Sequence, residues 1–296
     1  MNTLYVTIGL PGSGKSTWAH QQNMAVVSSD GVRSELHGSV EVQDNPAKVF
    51  QIVHSRVKEQ LKHGDMIMDA TNLNARKRAG FLSQIFGVRK VAVLFATSYE
   101  KVLHQNRKRD RQVPESAIQR MRESFQPPMK WEGWDDIRIV WNGAGYSFPW
   151  AKLEMDQENP NHSLPLNLHM AQTAARLAQR LEDRNLLFAA RFHDIGKVFT
   201  KKFEDGKGQP TAHARYFGHQ NVGAYEVMFV CKYVFLMPDE NILDIAGLVA
   251  WHMQPYALEK APNPEKAINK WIGKDGRKLE FWNRLVRLNA ADRAAH

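Results

Sequence analysis

The chain has 296 residues, a length that fits two domains of about 100–200 residues each. Hydrophobic residues at 43% and charged residues at 24% exclude wholesale disorder. Forty Lys and Arg against 31 Asp and Glu give a net charge of +9, which favours anionic partners.

In chain order the first half alternates short apolar runs with helix-like stretches. Leu4–Ile8, Ala25–Ser28, Met66–Met68, Val91–Ala96 and Ile137–Trp141 read as strands. Lys15–Asn23, Pro46–His63, Ala75–Phe86, Tyr99–Arg109 and Pro114–Phe125 read as helices. Such alternation predicts an α/β domain with a mostly parallel sheet, residues 1–148. A Pro- and Asn-rich stretch without period makes 149–164 a linker. Residues 165–296 read as an all-α domain, with helices at Leu166–Leu181, Asn185–His193, Val222–Met237, Ile242–His252, Pro264–Ile272 and Leu279–Ala291. Thr200–Ala212, with Gly206, Gly208 and Pro210, reads as a loop.

Three features bear on location. The single cysteine, Cys231, rules out an internal disulfide and fits a reducing cytoplasm. The longest nearly apolar run, Tyr225–Met237, is broken by Lys232 and is shorter than the roughly 20 residues of a membrane helix. The first residues lack a basic n-region, and their apolar run ends at Pro11-Gly12, unlike a secretory signal. The expectation is a cytoplasmic protein with no membrane partner.

Gly9-Leu-Pro-Gly12-Ser13-Gly14-Lys15-Ser16-Thr17 fits G-x-x-x-x-G-K-[ST] between a strand and a helix. Its glycines let backbone amides wrap phosphates, and the helix N-terminus adds positive dipole. In this pattern Lys15 neutralises the β- and γ-phosphates of ATP or another NTP, and Ser16 holds Mg²⁺. No apolar strand ending in Asp-Glu is evident, which disfavours a motor-type hydrolase. Asp30 instead stands at the end of the second strand, where it could take a proton from an attacking hydroxyl or merely cap the next helix. The basic surplus lies in the same half. Arg76, Lys77, Arg78, Arg89 and Lys90 form a segment without acids.

The ordered set GLPGSGKST, SSDGVRSEL, MDATNLNARKR and NRKRDRQVPESAIQRM resembles the 5′-polynucleotide kinase family over about residues 1–145. The resemblance implies that Asp30 is the general base on a 5′-hydroxyl and that Arg33 contacts an acceptor phosphate. It places Asp69, Thr71, Asn72 and Arg76 beside the acceptor strand. Arg107, Arg109 and Arg111 would form a lid over the nucleotide. The lid departs from the family's frequent Arg-Asn by having Gln105-Asn106.

In the second half, His193-Asp194-Ile-Gly-Lys197 can offer a nitrogen and an oxygen to one cation. His169 precedes it, and His219, His252 and Asp292 follow. This order resembles the HD phosphohydrolase superfamily over about residues 160–296, with stretches similar to the HD domains of tRNA nucleotidyltransferases. The resemblance implies one ion on His169, His193, Asp194 and Asp292. Asp194 would bridge to a second on His219 and His252, with Lys197 steadying a substrate phosphate. A donor set rich in imidazole suits Mn²⁺, Fe²⁺, Co²⁺, Ni²⁺ or Zn²⁺ better than Mg²⁺. The other eight histidines read as surface or loop residues, with His213 the first exception to look for.

Together these features predict a bifunctional end-repair enzyme. One half would phosphorylate 5′-hydroxyl RNA or DNA ends. The other would remove 2′-, 3′- or 2′,3′-cyclic phosphates, and an RNA or DNA ligase would seal the product. The rival readings are a small-molecule or nucleoside kinase fused to a nucleotide phosphohydrolase, and a regulatory module with a degenerate HD half.

Overall fold

A computed structural model describes residues 1–42, 44–160, 162–178 and 183–295. The end of the helix expected over Leu166–Leu181 and His296 lie outside the described residues. The chain divides into two compact units: Met1–Met121 with Pro128–Ala144, and Arg122–Pro127 with Gly145–His296.

The first unit runs β1 (Thr3–Ile8), α1 (Lys15–His20), β2 (Ala25–Ser28), α2 (Ser29–His37), α3 (Pro46–Gln60), β3 (Met66–Asp69), α4 (Ala75–Leu82), β4 (Arg89–Thr97), α5 (Tyr99–Arg107), α6 (Glu115–Arg122) and β5 (Asp136–Asn142). The strands form one sheet in the order β2-β3-β1-β4-β5, parallel throughout. β3 is buried along its whole length and β4 from Val91 onward, as expected where helices cover both faces. α3 begins at Pro46 behind the cap of Asn45 and buries Val49, Val53 and Val57 at one-turn spacing. Parallel pairing brings the C-terminal ends of β1, β2 and β3 to one edge, where an open α/β sheet binds ligands.

Arg78 of the acid-free segment is structural. Its guanidinium forks onto Glu132 at 2.7 and 2.6 Å, both side chains being buried. Arg76 and Lys77 on the same helix are exposed.

The second unit is mainly helical: α7 (Leu166–Ala178), α8 (Arg184–Phe192), α9 (Lys197–Thr200), α10 (His219–Phe229), α11 (Asp239–Trp251), α12 (Gln254–Glu259), α13 (Pro264–Ile272) and α14 (Leu279–Arg293). α10 and α11 form its centre, and α10 is buried on nearly every residue. Two sequence expectations change here. The loop expected over Thr200–Ala212 is a hairpin of β6 (Lys202–Glu204) and β7 (Pro210–Arg215), with the two glycines at its turn. The helix expected over Val222–Met237 starts at His219 and passes into a π turn at Val230–Val234.

Residues Arg122–Pro127 pack with α10. Arg122 and Glu226 form a buried ion pair at 2.5 Å, and the Tyr146 hydroxyl donates to the other Glu226 oxygen at 2.7 Å. Asn221 Nδ2 donates to the Glu123 carbonyl at 2.7 Å, and Phe125 stacks edge-on against Tyr225. Arg122→Ala would strand the Glu226 charge in the core. Removing one partner of a buried pair costs about 3–5 kcal/mol. The expected outcome in denaturant titration is a second unit destabilised by that order while the first is unchanged.

Candidate functional site

The first centre is the loop between β1 and α1. Gly12 (φ 80°) and Gly14 (φ 96°) adopt left-handed conformations that side chains resist, and Gly14 is the N-cap of α1. A Cβ on Gly12 would also stand 3.0 Å from the Val102 carbonyl. Lys15 is buried, and its ammonium donates to the Leu10 carbonyl at 2.7 Å. Burial pushes the Lys15 amine down to about 8; Asp69 opposes that shift and Arg109 adds to it. Ser13 is buried, while Gly14, Ser16 and Thr17 are exposed.

The Ser16 hydroxyl donates to Asp69 Oδ2 at 2.7 Å, and the Thr7 hydroxyl donates to Asp69 Oδ1 at 2.9 Å. Asp69 was expected beside the acceptor strand, yet it hydrogen-bonds the phosphate loop itself. It ends an apolar strand, Met66-Ile67-Met68-Asp69. This is the position from which an acid supports a Mg²⁺-binding Ser. The sequence signal was an apolar strand closed by one acid rather than two. Thr71 accepts the Gly9 amide through its carbonyl at 3.0 Å, and Asn72 donates to the Thr7 carbonyl at 2.8 Å. Both are engaged with β1 and the loop.

Asp30 lies in the first turn of α2. The cap is Ser28, whose hydroxyl accepts the amides of Asp30 and Gly31, so the carboxylate of Asp30 is not the cap. It accepts instead from Arg33 Nη1 at 2.6 Å and Arg111 Nη1 at 3.1 Å. Arg111 also donates to the Val40 carbonyl at 3.0 Å. Asp30, Arg33 and Arg111 are thus one cluster. Arg109 is exposed but close enough for its charge to act on Lys15. Arg107 is exposed and pairs with Glu115 at 3.5 Å.

The second centre gathers all six expected ligands. Asp194 is divided between two histidine pairs. Its Oδ2 faces His193 Nε2 at 3.4 Å and His169 Nε2 at 3.6 Å. Its Oδ1 faces His219 Nε2 at 3.2 Å and His252 Nε2 at 3.5 Å. Asp292 Oδ1 closes the first group, 2.9 Å from His169 Nε2 and 3.4 Å from His193 Nε2. Two metal-capable groups follow, His169–His193–Asp194 and Asp194–His219–His252, all buried. The motif's glycine makes this convergence possible. A Cβ on Gly196 would fall 2.0 Å from the His219 carbonyl and 2.5 Å from the Gly223 amide, so α10 packs directly on the backbone there.

The imidazoles are turned by the backbone. Nδ1 of His193, His219 and His252 donates to the carbonyl three residues earlier, Ala190, Tyr216 and Val249, at 2.9, 2.7 and 2.8 Å. Nδ1 of His169 meets the Ala295 carbonyl at 3.3 Å. A carbonyl only accepts, so each Nδ1 carries a proton and each Nε2 is the nitrogen left facing the carboxylates, able to take a cation or a second proton. His193 Nε2 is buried without a hydrogen-bond partner, the state of a nitrogen built to bind a cation. Burial works against charging His193, but Asp194 and Asp292 prevail and lift it to about 10. Both carboxylates are held well below their ordinary range despite burial, Asp194 chiefly by Lys197 and Asp292 chiefly by His193. An HD domain implies a divalent metal, and these residues fit one.

Lys197 is buried against this centre. Its ammonium contacts Asp194 Oδ2 at 2.7 Å, Gln157 Oε1 at 2.8 Å and His162 Nε2 at 3.0 Å. His162 was expected among the surface histidines, and His213 as the exception. The structure reverses this: His162 lies at the centre and His213 is exposed on β7. His54 is half-buried, stacked on Phe81 at 4.0 Å.

Among the described residues, no helix is long and apolar enough to cross a membrane. Residues 4–128 match the AAA domain family and residues 167–280 the HD domain family. The CC-adding tRNA nucleotidyltransferase of Thermus thermophilus is 35% identical over 107 residues, which are 36% of this chain and 22% of that enzyme. This chain therefore spans less than a quarter of that relative. A Pnkp1/Rnl/Hen1 complex structure aligns with 38% of this chain and 40% of its own, at 23% identity and TM-score 0.33. A gluconokinase from Sinorhizobium meliloti 1021 aligns with 47% of this chain and 81% of its own, at 17% identity and TM-score 0.35.

Proposed function

We propose, for a chain that joins a P-loop kinase-like domain to an HD domain, that it heals both sides of a broken nucleic-acid strand. It would phosphorylate the 5′-hydroxyl end and remove the 2′-, 3′- or 2′,3′-cyclic phosphate from the other. The observation that carries this reading is the pairing of two complementary centres. One has a carboxylate held by two arginines beside a phosphate loop. The other has a carboxylate divided between two histidine pairs.

In the first centre, the amides of Gly12, Gly14, Lys15 and Ser16 and the Lys15 ammonium hold the nucleotide phosphates. Ser16, supported by Asp69, would hold Mg²⁺, and that ion would neutralise charge on the transferred group. Asp30 accepts the proton of the 5′-hydroxyl as its oxygen bonds to the γ-phosphorus and the nucleoside diphosphate leaves. Arg33 and Arg111 fix the carboxylate, and exposed Arg107 and Arg109 cover the phosphates. Thr71, Asn72 and Arg76 border the acceptor. In the second centre, His169, His193, Asp194 and Asp292 would hold one transition-metal ion, and Asp194, His219 and His252 another. Such ions supply a hydroxide near neutrality and charge compensation on the phosphoester. Lys197 orients the phosphate. Ends made in this way suit an RNA or DNA ligase. The test is incubation with labelled ATP and matched 5′-hydroxyl RNA and DNA, and with 2′-phosphate, 3′-phosphate, cyclic phosphate and dNTP under Mn²⁺, Co²⁺ or Ni²⁺. Hydrolysis of the dNTP alone would replace end repair with nucleotide metabolism.

Lys15 gives the first centre a pH signature. Burying its ammonium costs stability that is fully felt below about pH 8 and relieved as pH rises toward 10.5. Nucleotide phosphates restore the charge. Binding at pH 9 should therefore take up a proton, and affinity should fall above about pH 8. Calorimetry in two buffers of different ionisation heat reads the proton directly, and Lys15→Met should abolish it.

A further inference from the structure

The hairpin β6–β7 has an unusual position and composition. It is inserted between two of the stretches that build the metal centre, five residues after Lys197 and four before His219. Every residue of β6 is exposed, and in β7 only Ala214 is buried. A two-stranded hairpin has little stability of its own. This one is anchored at its base: Ala214 donates to the Glu158 carbonyl at 2.9 Å, and Asn159 Nδ2 donates to the Ala214 carbonyl at 2.9 Å. The anchoring strip contains Gln157, which holds Lys197. Through β7 the arm is therefore tied to the strip that holds Lys197.

Its pairing register sets Lys202 directly opposite Arg215. Like charges at facing positions of an antiparallel pair repel and destabilise the ladder. The acids of the arm lie toward the tip: Glu204 pairs with Pro210, and Asp205 accepts the turn amides of Lys207 and Gln209 at 2.7 and 2.9 Å. A few residues on, Phe217 is 52% exposed between Tyr216, whose carbonyl orients His219, and Gly218, the cap of α10. Two facing cations followed by an exposed ring at the edge of a phosphate-handling centre are the elements of single-strand recognition. Cations track the backbone and a ring stacks a base.

We infer that the β6–β7 arm binds the single-stranded polynucleotide leading to the HD centre, with Lys202 and Arg215 on backbone phosphates and Phe217 stacked on the terminal base. This deepens the end-healing reading and rests on it. It makes the HD centre a reader of strands rather than of mononucleotides.

The test compares a 2′,3′-cyclic mononucleotide with a single-stranded octamer carrying the same end, using metal-loaded protein. The wild type should show a KM for the octamer at least tenfold below that for the mononucleotide. The pair Lys202→Glu and Arg215→Glu should raise the octamer KM at least tenfold and leave mononucleotide kinetics unchanged. Losing two phosphate contacts should flatten the log–log salt dependence by about 1.4. Phe217→Ala should raise the KM of both substrates severalfold, because both carry the terminal base, with Phe217→Trp restoring it. Equal KM values for the two substrates in the wild type, or equal losses for the two substrates in the charge-reversed pair, would overturn the inference while leaving hydrolysis in place. Photocrosslinking of an octamer with a 3′-terminal 4-thiouridine gives a readout independent of turnover. Crosslinks to the arm in a protein that hydrolyses neither substrate would keep the arm and discard the hydrolase reading. Crosslinks only outside the arm would discard the arm.

Discussion

Asp194→Asn should empty both metal positions at once and abolish hydrolysis, while 5′-phosphorylation proceeds at the wild-type rate. The argument is geometric. Among the described residues, Asp194 is the one carboxylate whose two oxygens face different histidine pairs. Asparagine keeps the shape but gives up the charge and one oxygen. The lost charge compensation is worth several kcal/mol, a fall in hydrolysis on the order of 10³-fold or more. Elemental analysis should find about two ions per chain in the wild type and none in the variant. His219→Ala and His252→Ala should lose the second ion only. Stability gives an independent reading. A metal at 100 times its Kd stabilises the protein that binds it by about 2.7 kcal/mol. Chelation should therefore lower the melting temperature of the wild type and leave that of Asp194→Asn unmoved. Asp194→Asn retaining both ions would show that the two histidine pairs bind independently. Unfolding is separated from metal loss by near-ultraviolet dichroism, because the buried Lys197 ammonium loses an anion but keeps Gln157 and His162.

The two centres differ in how much the sequence disclosed. The phosphate loop was legible because its chemistry is contiguous: one strand, one turn, one helix start. The six candidate metal ligands were legible by residue type and order, because each sits on or beside a helix of the second unit. What stayed hidden depends on distance along the chain or on absent periodicity. Asp69 meets Ser16 across 53 residues, and its strand ends in a single acid. His162 meets Lys197 across 35 residues from a Pro- and Asn-rich stretch with no period. The Arg122–Glu226 pair spans 104 residues. The hairpin escaped notice because only Ala214 is buried, so neither strand alternates apolar with polar residues. The buried strands β3 and β4 were found for the opposite reason: continuous apolar runs mark strands covered on both faces.

Asp30→Asn should lower kcat for 5′-phosphorylation by about 10²–10⁴-fold, the usual contribution of a positioned general base. Nucleotide affinity and hydrolase activity should change little. Helix capping does not confuse the result, because Ser28 caps α2 and the asparagine leaves that cap intact. The amide keeps one oxygen, so one of the two guanidiniums keeps its acceptor and the other loses it. The capacity to take the proton is lost with it. A base role therefore predicts a kcat loss with the acceptor KM nearly constant, and a pH–rate profile that loses its acidic limb. If Asp30 served only to hold the two arginines, Asp30→Asn, which keeps one of those bonds, would lose far less kcat than Asp30→Ala, whereas a base role makes the two losses alike. Arg33→Lys separates the roles further. A lysine keeps the charge but not the planar fork, so acceptor binding should weaken while the pH profile stays in place. Near-normal turnover by Asp30→Asn at neutral pH would remove Asp30 as the base. It would leave the arginine cluster as an electrostatic clamp on the acceptor end, with the hydroxyl proton passing directly to solvent or to the departing phosphoryl oxygens.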